Sequence, residues 1–149
     1  MKVLQNSFFF EEVEKIINGG ESVELLVRGG SMTPYLRDEV DKVVISPLDD
    51  SVLKTGDIVL FFHSGCHLLH RIIRKKGDFF FIQGDGVVKK QEEVAPSDII
   101  GIVSSIIRPS GRIVSVNHRS YTLFWRCWLL LRPFRRYLLA AYRLFLRQQ

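Results

Sequence analysis

The sequence predicts a mainly β protein whose core is an antiparallel sheet, with one short helix before the sheet and a basic helical segment after it. Short segments rich in β-branched and aromatic residues follow one another between turn residues. No helical periodicity interrupts them, which disfavours alternating βαβ units. The predicted parts are an N-terminal helix over 1–20, a β domain over 21–116 and a helical tail over 117–149.

The first element is predicted as a helix over Ser7–Ile17. Apolar residues recur there at helical spacing. Ser7 is the expected N-cap, and Gly19-Gly20 is the expected stop.

Seven strands are predicted next, separated by turn sequences such as Ser64-Gly65, Lys76-Gly77 and Ser110-Gly111. The predicted strands are Val23–Arg28, Val40–Ser46, Asp57–His63, His67–Ile73, Asp78–Gln83, Ile99–Ile107 and Arg112–Val116.

The final segment combines an apolar run with a stripe of arginines, and Pro133 is expected to break the helix between them. We expect this tail to lie on an anionic membrane surface, or on a membrane-anchored partner. The alternative is that its apolar face packs on the β domain. The candidate membrane contacts are Trp125, Trp128, Arg132, Arg136, Arg143 and Arg147.

Charge and composition narrow the class of protein. The chain has 149 residues and a net charge of +5, and residues 99–149 contain no acidic residue. Nucleic acid is not expected as a partner, because the aromatic residues do not interleave with basic ones on a strand platform. The two cysteines are too few for a disulfide framework. No signal peptide and no membrane-spanning run is predicted, so the expected location is the cytoplasm or the cytoplasmic face of a membrane.

One serine, one histidine and one aspartate stand out as candidate catalytic residues. Ser31 lies between glycines and a proline, in Gly29-Gly30-Ser31-Met32-Thr33-Pro34. His70 follows in a predicted strand, and Asp85 follows in a Gly-Asp-Gly turn. An imidazole can take the proton of a serine hydroxyl, and a carboxylate can orient the imidazole.

These motifs occur in an informative order along roughly half of the chain. The segments are Gly30-Ser31-Met32-Thr33-Pro34, Lys54-Thr55-Gly56-Asp57-Ile58-Val59, Leu69-His70-Arg71-Ile72-Ile73, Gln83-Gly84-Asp85-Gly86 and Ile100-Gly101-Ile102-Val103. Together they resemble the signal peptidase family, in the branch found in the endoplasmic reticulum and archaea. That branch carries His-Arg where the bacterial enzymes carry a lysine. The resemblance implies the β fold shared with LexA-type autoproteases.

The resemblance also implies roles for individual residues. Ser31 would be the nucleophile and His70 the general base, and the backbone of Gly29, Gly30 and Ser31 would face the oxyanion. The third member stays open: Asp85 is expected, Glu92 is the possible alternative acid, and a Ser-His dyad is the remaining case.

The expected function is therefore that of a serine endopeptidase that processes a leader or precursor peptide. Two alternatives remain: a non-catalytic peptide-binding module on the same fold, and a LexA-like self-cleaving regulator. His63, Cys66, His67 and His70 have spacings reminiscent of zinc ligands. A hairpin turn at Ser64-Gly65 would place His67 and His70 on one strand, where they point to opposite sides. Neither a metal nor another cofactor is therefore expected.

Overall fold

The protein is an antiparallel sheet flanked by helices at both ends of the chain. The computed structural model describes residues 2–49 and 53–149, with side chains from residue 7 onward; Met1 of the predicted N-terminal unit lies outside these residues. The elements are α1 (Lys2–Asn18), β1 (Val23–Leu26), β2 (Lys42–Ser46), β3 (Ile58–His63), β4 (Cys66–Lys76), β5 (Phe79–Gln83), β6 (Glu92–Val94), β7 (Ile99–Ile107), β8 (Ile113–Ser115), α2 (Arg119–Leu130) and α3 (Arg135–Arg147).

The strands pair in the order β1-β2-β7-β3-β4-β5-β6, and β8 pairs with β7. Every pairing is antiparallel. The predicted fold class is therefore confirmed. In this order β1 is an edge strand, and the segment that carries Ser31 follows it directly.

The sheet has a hydrophobic cluster on each face, because side chains alternate along its central strands. In β3, Ile58 and Leu60 belong to the cluster beside α1. Val59 and Phe61 belong to the cluster under β5 and β6. All four side chains are buried, which explains why β3 appears in the sequence as a nearly continuous apolar run.

The first helix begins earlier than predicted and ends where predicted. Ser7 lies inside α1, so its assignment as the N-cap is wrong. At the other end, Gly20 takes a positive φ of 88°, and the Glu21 amide donates to the Ile16 carbonyl at 3.2 Å. A left-handed glycine with this bond is a common helix stop.

The turn between β3 and β4 is also as predicted. Ser64 and Gly65 have φ values of 50° and 79°, and they connect the paired residues His63 and Cys66. Positive φ at both central residues is the conformation of a two-residue hairpin turn. The short strand β6 was not predicted, because three residues are too few to show an alternating pattern.

The C-terminal segment is helical, as predicted, and it follows the alternative in which it packs on the β domain. The helix does break around Pro133, where a short 3₁₀ turn separates α2 from α3. Tyr121 and Trp128 of α2 and Leu139 of α3 are buried, and Phe124 and Trp125 pack against the first cluster. The segment 117–149 therefore contributes to the core. Among the described residues, no helix is long and apolar enough to cross a membrane.

Candidate active site

Ser31 lies in a tight turn held by its apolar neighbours. Met32 and Leu36 are 1% and 0% exposed, and the Leu36 amide donates to the Met32 carbonyl at 2.9 Å. Ser31 itself is half-buried. The sequence folds this way because Gly29, two residues before the serine, has a φ of 84° and turns the chain away from β1. The turn presents Ser31 at the rim of a cleft.

His70 is buried on β4, opposite Val59 of β3. Its Nδ1 lies 3.1 Å from Oε2 of Glu92, and its ring meets the edge of Phe61 at 5.9 Å between centroids. Its Nε2 is buried and has no hydrogen-bond partner within the described residues. One imidazole nitrogen is thus held by a carboxylate, while the other makes no hydrogen bond within the described residues.

Gly84 shows how closely the serine turn and the histidine approach each other. A Cβ atom added to Gly84 would lie 2.3 Å from the Ser31 carbonyl oxygen and 3.1 Å from His70 Nε2. The Ser31 carbonyl and Nε2 of His70 therefore both lie close to Gly84, which has no room for a side chain. The candidate nucleophile and base, which are distant in sequence, are neighbours in the fold.

Asp85 does not hold His70, contrary to the expectation for the third member. Its carboxylate instead accepts two hydrogen bonds from Arg71, at 2.9 Å from Nε and 2.7 Å from Nη2. Both side chains are almost completely buried. Burial acts to lower the pKa of Arg71, but the Asp85 carboxylate outweighs it and the pKa is raised. The alternative acid, Glu92, is the carboxylate that contacts the imidazole.

His70 and Arg71 are adjacent in sequence and point to opposite faces of β4. This is why Glu92 contacts His70 whereas Asp85 contacts Arg71. His70 faces β6 and Glu92, whereas Arg71 faces the aromatic rings of Tyr35 and Tyr121 at 5.3 Å each. Arg71 also donates to the Gly56 carbonyl at 3.0 Å. It is a buried structural cation.

The predicted oxyanion contacts need one correction. The Gly29 amide donates to Oδ1 of Asp38 at 2.8 Å, so it is committed to that loop. The Ser31 carbonyl accepts from the Gly86 amide at 2.8 Å, which fixes the orientation of the serine main chain. Gly30 and the Ser31 amide remain the candidates for stabilising an oxyanion.

A cleft of about 650 Å³ opens beside Ser31, between α1 and the sheet. Phe9 and Phe10 of α1 line one side of it, and Leu25, Val27 and Leu69 line the other. Phe10 stacks on His67 at 4.3 Å between ring centroids, and His67 bonds to Glu14 at 2.7 Å. The N-terminal helix is therefore a wall of the cleft, a role that its sequence did not indicate.

Residues of the C-terminal helices reach the site as well, and sequence reasoning missed them. We refer to residues 83–87 as the site loop. Trp128 is 8% exposed, and its Nε1 donates to the Asp85 carbonyl at 3.0 Å. Its assignment as a membrane contact is therefore wrong. Trp125 is half-buried with its ring packed over Gly56. The segment Leu123–Leu131 is apolar nearly all round, which concealed this packed face.

Arg135 was not singled out from the sequence, yet it is 1% exposed. Helical spacing places Arg135 on the same side as Leu139, four residues later, and off the stripe of Arg136, Arg143 and Arg147. This shared position with Leu139 is the sequence signal that could have indicated the burial of Arg135.

The described residues contain no group of three or more histidine, cysteine or acidic side chains placed to hold a metal ion. His67 and His70 are instead paired with Glu14 and Glu92 respectively. Cys66 and Cys127 are both exposed and not joined to each other.

No protein-family model matches this chain, and no curated protein shows significant sequence similarity to it.

Proposed function

We propose that the protein is a serine endopeptidase in which Ser31 is the nucleophile, His70 the general base and Glu92 the residue that orients the base. The observation that carries the proposal is the environment of His70. Its Nδ1 contacts a buried carboxylate, and its Nε2 is free within the described residues beside the Ser31 main chain. The motif resemblance to signal peptidases supports the same roles.

The proposed chemistry is acyl transfer. The Ser31 hydroxyl gives its proton to Nε2 of His70 as Oγ bonds to the substrate carbonyl carbon. Glu92 stabilises the imidazolium that forms. The imidazolium then protonates the departing amine as the C–N bond breaks, which leaves an acyl-serine. Water hydrolyses this ester with His70 again acting as base.

The proposed substrate is an extended peptide, such as a leader or precursor segment. β1 is an edge strand, so its free side can pair with an added strand immediately before Ser31. The apolar cleft beside Ser31 is large enough to take side chains of that peptide.

We further propose that the enzyme acts at an anionic membrane surface on the cytoplasmic side. Phe134, Tyr137 and Phe145 are 60%, 68% and 59% exposed, although they belong to a helical segment whose other face is packed. Arg136, Arg143 and Arg147 are also exposed on this helix, and the Arg136 guanidinium lies over the Tyr137 ring at 6.0 Å. Exposed aromatic and basic side chains on one helix are typical of helices that lie in a membrane interface.

The proposal is tested with a β-lactam-type acylating probe and mass spectrometry of the intact protein. We expect one adduct per chain, mapped to Ser31 by peptide analysis. Ser31→Ala should abolish the adduct, whereas Ser97→Ala, at an exposed serine, should label like the wild type. An adduct that persists in Ser31→Ala would contradict the assignment.

A non-catalytic peptide-binding module is the second candidate. It is favoured by the fact that Nε2 of His70 does not hydrogen-bond to Ser31 within the described residues. Hydrogen bonds of catalytic groups are often long before substrate binds, so this does not argue against the enzyme. Peptide binding without acylation of Ser31 would favour the module. Spontaneous shortening of the purified chain would favour a LexA-like self-cleaving regulator.

A further inference from the structure

Two side chains of the C-terminal helices bind the site loop, which also contacts the Ser31 turn. Trp128 donates from Nε1 to the Asp85 carbonyl at 3.0 Å. Nη1 of Arg135 lies 3.2 Å from Oε1 of Gln83, 3.2 Å from the Val87 carbonyl and 3.5 Å from the Gly84 carbonyl. Two side chains thus engage acceptors on four of the five residues of the loop.

The other side of the same loop rests on the serine turn. The Gly86 amide donates to the Ser31 carbonyl at 2.8 Å. A Cβ atom on Gly86 would lie 2.5 Å from the Gly30 carbonyl, and one on Gly84 would lie 2.3 Å from the Ser31 carbonyl. The contact is therefore backbone on backbone, so a shift of the loop is transmitted directly to the serine.

Burial of Arg135 is unfavourable if packing is its only role, because a charged side chain is removed from water. Its guanidinium stacks over the Trp128 ring at 5.2 Å. The carboxylate whose charge acts on it, that of Asp85, forms its ion pair with Arg71. Burial lowers its pKa. An apolar side chain would fill the space without the cost of removing a charge from water. What the guanidinium adds is a charged donor, Nη1, that faces the Gln83 side chain and the carbonyls of Gly84 and Val87. Its Nη2 donates to the Trp128 carbonyl at 3.5 Å.

We infer that Arg135 and Trp128 are positioning residues: they press the site loop against the Ser31 turn and so set the distance between Ser31 and His70. This inference rests on the proposed peptidase function for its kinetic consequence. We call the contacts of Arg135 and Trp128 with the site loop the clamp. The clamp is a property of the fold, and it can be measured without enzymatic activity.

The test compares Arg135→Met with Arg119→Met, an exposed arginine at the start of α2, in the full chain. We expect Arg135→Met to slow acylation of Ser31 by the β-lactam-type probe about ten- to a hundredfold, since small displacements of reacting groups have effects of this size. Affinity for a non-cleavable peptide should change less than about threefold, because the cleft does not include Arg135. Arg119→Met should match the wild type.

Hydrogen exchange of the Gly86 amide supplies the readout that is independent of catalysis. We expect faster exchange in Arg135→Met and in Trp128→Phe, which retains an aromatic ring but loses the donor, and partial protection in Arg135→Lys. If Arg135→Met does not fold, Gly86 exchange and Ser31 acylation in Trp128→Phe test the inference. Unchanged Gly86 exchange and acylation in Trp128→Phe would overturn the inference, as would equal losses in Arg135→Met and Arg119→Met. If the wild type is not acylated, the proposed function fails, and Gly86 exchange still decides whether the clamp exists.

Discussion

At the scale of single residues, the site depends on which carboxylate each basic side chain reaches. His70 and Arg71 are adjacent in sequence, and each has a buried acid of its own: Glu92 for the imidazole and Asp85 for the guanidinium. The first acid is placed to serve the proposed chemistry, and the second neutralises a buried cation. Conservative replacements of the two acids should therefore have different consequences.

We expect Glu92→Gln to reduce acylation of Ser31 by about two orders of magnitude or more while the protein remains folded, because the imidazolium loses its counter-charge. Asp85→Asn should mainly lower the free energy of unfolding, by about 3 kcal/mol, because it leaves a buried guanidinium without its partner. Probe labelling rates and urea midpoints separate the two effects. Loss of acylation in a stable Asp85→Asn, with Glu92→Gln unaffected, would restore Asp85 as the third member.

At the scale of elements, a buried aspartate joins the serine turn to the sheet. Asp41 is fully buried and accepts from the backbone and side chain of Arg37 and from Nη1 of Arg108 at 2.7 Å. Arg108, just after β7, also donates to the Tyr35 carbonyl in the turn. Burial acts to raise the pKa of Asp41, but the hydrogen bonds from Arg37 and the charge of Arg108 outweigh it, so the pKa is lowered.

This lowered pKa predicts the acid sensitivity of the fold. A carboxyl group whose pKa is lower in the folded than in the unfolded state stabilises the protein at pH values above its ordinary pKa of 3.8. That stabilisation is lost as the pH falls through the folded-state pKa. We expect Asp41→Asn to lower the free energy of unfolding at pH 6 by about 2 kcal/mol. It should also show a smaller further loss than the wild type between pH 6 and pH 3.

Urea denaturation at the two pH values measures this effect, with Asp78→Asn at an exposed turn residue as the matched control. The control should follow the wild type at both pH values. Equal pH dependence in wild type and Asp41→Asn would show that the acid sensitivity arises elsewhere.

At the scale of the whole molecule, the C-terminal helices have two roles on different faces. Their inner face, with Tyr121, Trp128, Arg135 and Leu139, belongs to the folded core. Their outer face leaves Phe134, Tyr137 and Phe145 exposed. The membrane surface proposed above therefore concerns the outer face of α3 and the turn before it.

We expect the protein to bind vesicles that contain anionic lipid and to bind zwitterionic vesicles more weakly. Each basic side chain near an anionic surface contributes on the order of 1 kcal/mol, so Arg132, Arg136, Arg143 and Arg147 together contribute roughly 4 kcal/mol before any apolar burial. Co-sedimentation should therefore decrease markedly at high salt.

Tyr137→Ser combined with Phe145→Ser should weaken vesicle binding further without unfolding the protein, because both side chains are exposed. Phe79→Ser, at an exposed aromatic residue on β5, is the control that should retain binding. Vesicle binding that does not change with lipid charge, with salt or with the double substitution would contradict the membrane proposal.

The sequence by itself determined most of the elements, because their signals are local. The β-branched composition of segments such as Ile99–Ile107, the left-handed turn at Ser64-Gly65, the glycine stop after α1 and the break around Pro133 all involve neighbouring residues. The nucleophile turn and the histidine strand were found in the same way. The family resemblance and the catalytic assignment remain predictions.

Only the tertiary structure decided which distant groups meet. The pairing of Glu92 rather than Asp85 with His70 depends on β6, which is too short to be predicted and which brings its acid across from β5. The burial of Trp128 and Arg135 depends on carbonyls of the site loop, which are contributed by another part of the chain. Sequence periodicity shows which residues share a face of an element, whereas the partner of that face is set by how the elements pack.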